Sequence, residues 1–69
     1  MSERITVNGE AHTWADQSVA DLLRDFDVLP DKGGVAVALN ADVVPRGDWA
    51  GTRIRPGDRI EIVHIVRGG

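Results

Sequence analysis

Few side chains in this sequence are of types that do chemistry unaided, and their spacing keeps them apart. The two histidines, His12 and His64, stand 52 positions apart and cannot form a short-spaced ligand pair. The chain has no cysteine, which removes thiol nucleophiles, disulfides and thiolate zinc sites. No metal site is expected. The sequence lacks a nucleophile elbow, a phosphate-binding Gly-x-x-x-x-Gly-Lys run and a His-Glu-x-x-His helix, so no catalytic residue is assigned. Asp21, Asp25 and Asp27 read as the solvated face of a helix. Arg46-Gly47-Asp48 matches a three-letter adhesion motif, too short a match to carry weight. What remains is the pair Gly68-Gly69 at the end of the sequence. At average glycine usage a terminal pair arises by chance in roughly one protein in two hundred. Two residues without side chains make a thin, flexible thread that can enter a narrow active site and present a carboxylate there.

The body that carries this thread is small. Sixty-nine residues, 42% of them hydrophobic and 28% charged, suffice for one core and argue against a disordered chain. Domains of this size bury only about 60% of their unfolded surface. The net charge is −3, which disfavours nonspecific nucleic-acid binding. The charge is uneven: residues 1–34 hold seven acids and three bases, residues 35–69 four and five. No apolar run is long enough to span a membrane, and Met1-Ser2-Glu3-Arg4 lacks the layout of a signal peptide, so the expected location is the cytoplasm.

Hydrophobic periodicity supplies the elements. Arg4-Ile5-Thr6-Val7 reads as a strand, Asn8-Gly9 as a type I′ turn, and Glu10 to Trp14 as the returning strand. Ser18 is a favourable helix N-cap with Asp21 three residues on, and Val19, Leu22, Leu23 and Phe26 form one helical stripe. Leu29 to Gly34, with Pro30 and two glycines, ends the helix. Val35 to Leu39 is a third strand, and Val43-Val44 before Pro45 a short one. Trp49 is expected to anchor the loop that follows, and Pro56-Gly57-Asp58 turns into a last strand from Arg59 to about Val66.

One short helix must bury its stripe on one face of a sheet, and a crossover through it predicts that strand three lies parallel to the hairpin. The fold class is therefore α+β, a ubiquitin-like β-grasp with a mixed sheet of four to five strands on one helix. The domain is expected to span residues 1–66, with 67–69 as a flexible tail of Arg67, Gly68 and Gly69. In the last strand Ile60 and Ile62 share one face, so Val63 and Ile65 are candidates for exposed apolar surface that docks a partner.

Several motifs carry a family resemblance across nearly the whole chain. They are Ile5-x-Val7-Asn8-Gly9, Ser18-Val19-x-x-Leu22-Leu23, Val37-Ala38-Leu39-Asn40, Val44-Pro45-Arg46-x-x-Trp49, Gly57-Asp58-x-Ile60-x-Ile62 and Gly68-Gly69. The sequence resembles the ThiS family of the MoaD/ThiS superfamily, the sulfur carriers of thiamine biosynthesis. The run from Asn40 to Trp49 is its most specific part. The resemblance implies that the chain is not an enzyme but the covalent substrate of partner enzymes. A ThiF-like adenylyltransferase, using ATP and magnesium that the carrier itself does not bind, would adenylate Gly69. A cysteine desulfurase relay would convert it to a thiocarboxylate, and thiazole synthase (ThiG) would receive the sulfur. Carriage of sulfur to molybdopterin or another metabolite, and ubiquitin-like protein modification, are the alternatives open at this point.

Overall fold

Two asparagine turns and one capped helix organise the chain. In the computed structural model, residues 3–26, 28 and 34–64 are described. Strand β1 (Arg4–Val7) and strand β2 (Glu10–Thr13) are joined by Asn8-Gly9, with φ values of 51° and 84°. Two successive left-handed residues match the twist of the flanking strands, which is why Asn-Gly makes a tight hairpin. Trp14 lies just beyond β2, although its N–H still bonds the Glu3 carbonyl at 2.8 Å.

Helix α1 (Val19–Asp25) begins at the expected cap: the Asp21 N–H donates to Ser18 Oγ at 3.2 Å, and the Ser18 N–H donates to Asp21 Oδ2 at 3.3 Å. The Ser18 backbone bond, then the Ser18 hydroxyl and the nearby Arg24, hold the Asp21 carboxyl below its ordinary value of 3.8. At the other end the Val28 N–H reaches the Leu23 carbonyl at 2.8 Å, a Schellman-type closure with buried Val28 as its apolar contact. Val19, Leu22 and Leu23 are buried as the stripe predicts, whereas Phe26 is 37% exposed. The helix ends at Asp25, and Phe26, as the C-cap at its rim, meets the His12 ring edge-on at 5.2 Å. His12 thus has a packing role at the helix end.

Strand β3 (Val35–Leu39) and strand β4 (Asp42–Val44) form a second hairpin through Asn40-Ala41, at φ 52° and 73°. A 3₁₀ segment (Arg46–Gly51) leads to strand β5 (Arg59–His64). The five strands lie in the order β2-β1-β5-β3-β4. Strand β5 is parallel to β1 (Val7 opposite Ile60) and antiparallel to β3 (Val37 opposite Ile62). The expected parallel pairing of strand three with the hairpin is corrected: β5 occupies that place, and β3 pairs antiparallel on its far side. The crossover rule applies instead to the β1–β5 pair, whose connection contains the helix and the second hairpin together.

The core is one layer between sheet and helix. Ile5, Val7, Val37, Val44, Ile60 and Ile62 face Val19, Leu22, Leu23, Val28, Trp49 and Ile54. Full burial of each large aliphatic side chain contributes about 1.5–3 kcal/mol. The start of α1 is tied to the segment before β5 by Val19 N–H to Thr52 O (2.9 Å) and Ile54 N–H to Gln17 O (3.0 Å). The Trp14 indole N–H adds a bond to Ile54 O at 2.8 Å. Among the described residues no helix is long and apolar enough to cross a membrane.

Two outcomes test this architecture. Ala41 carries a Cβ in left-handed backbone, so Ala41→Gly should raise stability by about 0.5 kcal/mol, the left-handed penalty exceeding the added chain entropy, and lift the melting temperature by a few degrees. Because folding lowers the Asp21 pKa, its stabilisation is present above the unfolded value near 3.8 and lost as pH falls through the lower folded value. Thermal melts across that acid range should decline less steeply for Asp21→Asn than for the native chain.

Candidate functional site

Of the residues that the sequence singled out, the described part of the last strand holds Val63. Ile60 and Ile62 are buried and Val63, on the opposite face, is 54% exposed, as the alternation predicts. Ile65, Arg67, Gly68 and Gly69 lie outside the described residues. Strand β5 ends at His64, itself exposed, and five residues of chain remain.

Among the described residues no helix lies on the face of the sheet turned away from α1. Register places Ala36 directly opposite Val63, and Ala38 opposite both Glu61 on β5 and Val43 on β4. Val43 is 74% exposed. Two alanines on β3 thus form a low floor between the valines of β4 and β5, an apolar strip beside the strand that leads to the tail. Neither Val43 nor the alanine floor stands out in the sequence. The alternation with buried Val44 points Val43 outward, yet only the register sets it on the same strip as Val63.

The Asn40 to Trp49 run, by contrast, is a brace. Trp49 is 3% exposed, and its indole N–H donates to Val44 O at 2.8 Å. Pro45 caps the 3₁₀ segment and accepts the Asp48 N–H at 2.8 Å, while the Arg46 guanidinium lies 5.5 Å over the Trp49 ring. Asn40 closes the brace on β5: Nδ2 donates to Asp58 Oδ1 and Oδ1 accepts the Arg59 N–H, each at 3.0 Å.

A polar cleft of about 530 Å³ opens at the start of β5, lined by Asn40, Arg53, Arg55 and Asp58 among others. It lies at the end of β5 away from the tail, and its Arg53 is paired with Asp16 at 2.6 Å on the surface. Among the described residues no group of His, Cys, Asp or Glu is placed to hold a metal ion.

A five-stranded mixed sheet with one helix on one face, its last strand central between the first and the third, defines a ubiquitin-like β-grasp protein. A solved relative, the crystal structure of a thiamine biosynthesis protein (ThiS) from Geobacter metallireducens, superposes with a TM-score of 0.79 at 30% identity, covering 96% of this chain and 99% of that one. A solution structure of a thiamine biosynthesis protein from the same organism gives 0.76 at 30% identity, covering 96% and 87%. The model of the ThiS family matches residues 5–69, and the chain belongs to that family. The sulfur carrier protein ThiS of Escherichia coli K12 is 36% identical over 55 residues, 80% of each chain. Thiazole synthases of Paramagnetospirillum magneticum and Magnetococcus marinus are 34% and 37% identical over 67 residues. That stretch is 96% of this chain but 20% of each synthase, so the chain spans about a fifth of those relatives.

The facing of β5 has a direct test. Val63→Arg should change the unfolding free energy by less than about 1 kcal/mol, because its side chain projects into solvent. Ile62→Arg, one residue earlier and on the buried side, should cost more than about 3 kcal/mol by forcing a charge into the core. Urea unfolding of both variants gives the comparison.

Proposed function

We propose that this chain is a sulfur carrier for thiazole formation in thiamine biosynthesis, with the Gly69 carboxylate as its reactive group. The observation that carries the reading is the ThiS family match, which runs through the strand and tail to residue 69.

The chemistry follows from the carboxylate. As an anion it is a poor acyl electrophile, so it first attacks the α-phosphate of ATP, releasing pyrophosphate and forming an acyl adenylate. The terminal sulfur of a persulfide then displaces AMP to give an acyl disulfide, and a second thiol reduces its S–S bond, leaving a thiocarboxylate on Gly69 and a disulfide between the two thiols. ATP and magnesium are bound by a ThiF-like adenylyltransferase, and a cysteine desulfurase relay supplies the sulfur. Arg67 and Gly68 lead Gly69 into these active sites; glycine without a Cβ passes a channel that would exclude a side chain.

Thiazole synthase is the proposed acceptor. In two relatives bearing that name a stretch similar to this chain forms a fifth of the protein, an arrangement that would keep carrier and synthase together. The apolar strip of Val43, Ala36, Ala38 and Val63, with Ile65 beyond it, is the proposed docking face for these enzymes. It adjoins the strand that delivers the tail, so docking there also directs the tail. The setting is the cytoplasm, where ATP is at hand.

Deleting Gly69, or adding one residue after it, should abolish pyrophosphate exchange with the activating enzyme while the melting temperature stays unchanged. Persistence of that exchange in either variant would refute Gly69 as the acceptor. After a full reaction, intact mass should rise by the difference between one sulfur and one oxygen.

A further inference from the structure

Asn8 is followed by Gly9, and its side chain does more than shape a turn. Its Oδ1 accepts the Ile62 N–H at 2.7 Å and its Nδ2 donates to the Ile62 carbonyl at 3.2 Å. The Asn8 backbone N–H already bonds Ile60 O at 2.9 Å. The amide therefore continues the parallel β1–β5 ladder one step past the point where β1 turns away. We propose that Asn8 is a self-modification site, a deamidation centre that β5 holds closed and that opens when β5 lets go.

The reaction needs no partner. The Gly9 nitrogen attacks Cγ of Asn8, the new N–Cγ bond closes a succinimide ring, the Cγ–Nδ2 bond breaks, and Nδ2 leaves with the Gly9 proton as ammonia. Water then opens the ring at one of its two carbonyls, giving aspartate or isoaspartate at position 8. Glycine is the following residue that hinders this attack least, because no Cβ crowds the nitrogen.

In the folded chain the Ile62 N–H polarises the Asn8 carbonyl, which by itself favours attack. The same pair of bonds fixes the Asn8 amide on the β5 backbone, so Cγ cannot swing freely to meet the Gly9 nitrogen while both bonds are made. Attack requires the reacting atoms near 3–3.5 Å and aligned, so position outweighs polarisation.

Conversion removes the clamp that guarded the site. Aspartate lacks the Nδ2 donor and sets a carboxylate against the Ile62 carbonyl, so the bond that guarded the site becomes a repulsion. Isoaspartate also inserts a methylene into the two-residue turn that sets the β1–β2 register. The chain contains its own control. Asn40, the other asparagine, has a φ of 52° against 51° for Asn8 and a comparable pair of side-chain bonds to Asp58 and Arg59. It is followed by Ala41, whose Cβ shields the nitrogen.

The test is independent of the sulfur-carrier reading. Purified chain is incubated at mildly alkaline pH, folded and in urea, and peptide mapping follows aspartate and isoaspartate at positions 8 and 40. In urea Asn8 should convert well ahead of Asn40; in the folded chain its rate should drop at least about tenfold, the factor set by opening two net hydrogen bonds. Equal rates folded and unfolded, or Asn40 converting as fast as Asn8 in urea, would overturn the proposal. In a second arm Asn8→Gly, which keeps the left-handed turn and removes the amide, should speed hydrogen exchange at the Ile62 amide by at least about tenfold, whereas Asn8→Asp, which still offers an oxygen to that N–H, should speed it less. Native-like protection of Ile62 in the glycine variant would show that the clamp does not exist.

Discussion

The insertion of the last strand between the first and the third is the constraint on which the rest of the structure depends. Strand β5 bonds β1 on one side and β3 on the other, and its Ile60 is fully buried. Two asparagine side chains, one from each hairpin turn, fasten it near its two ends: Asn40 to Arg59 and Asn8 to Ile62. Asn8 and Ile62 are 54 positions apart, so the sheet closes only after nearly the whole described chain is in place. Removing β5 would leave two separate hairpins, a class of structure that is marginal in water.

This placement joins fold to function. A central strand has its position fixed from both sides, which makes it a firm base for the tail that follows. It also gives the sheet two unlike faces at the same point. Ile60 and Ile62 hold the helix layer together, while Val63 projects outward beside Ala36 and within reach of the strip that Val43 completes. A partner docking on that strip would engage the rigid body and receive the tail from the same strand.

The most distinctive motif of the sequence has a structural task. Val44, Pro45, Arg46 and Trp49 carry the strongest family signature, yet their contacts are internal: an indole bond to a backbone carbonyl and a guanidinium over a ring. They fix the connection that returns the chain to β5. Gly68 and Gly69 carry no side chain at all.

Local rules make much of this fold legible in the sequence. The Asn8-Gly9 turn, the Ser18–Asp21 capping box, the burial of Val19, Leu22 and Leu23 and the outward facing of Val63 all follow from interactions within a few residues, or from the strict alternation of a strand. Phe26 is more exposed than its stripe predicts, because it lies at the helix rim as the C-cap. Strand order is not legible either: periodicity tells which face a residue takes but not which strand lies beside it, and β5 rather than β3 is the parallel neighbour of β1. The same limit hides Val43 and the second role of Asn8, both of which arise from pairings distant in sequence. By itself the sequence determined most of the elements and their buried faces. Tertiary structure decided which strands meet, because long-range pairing is settled by the mutual fit of whole faces and not by the residues of any one segment.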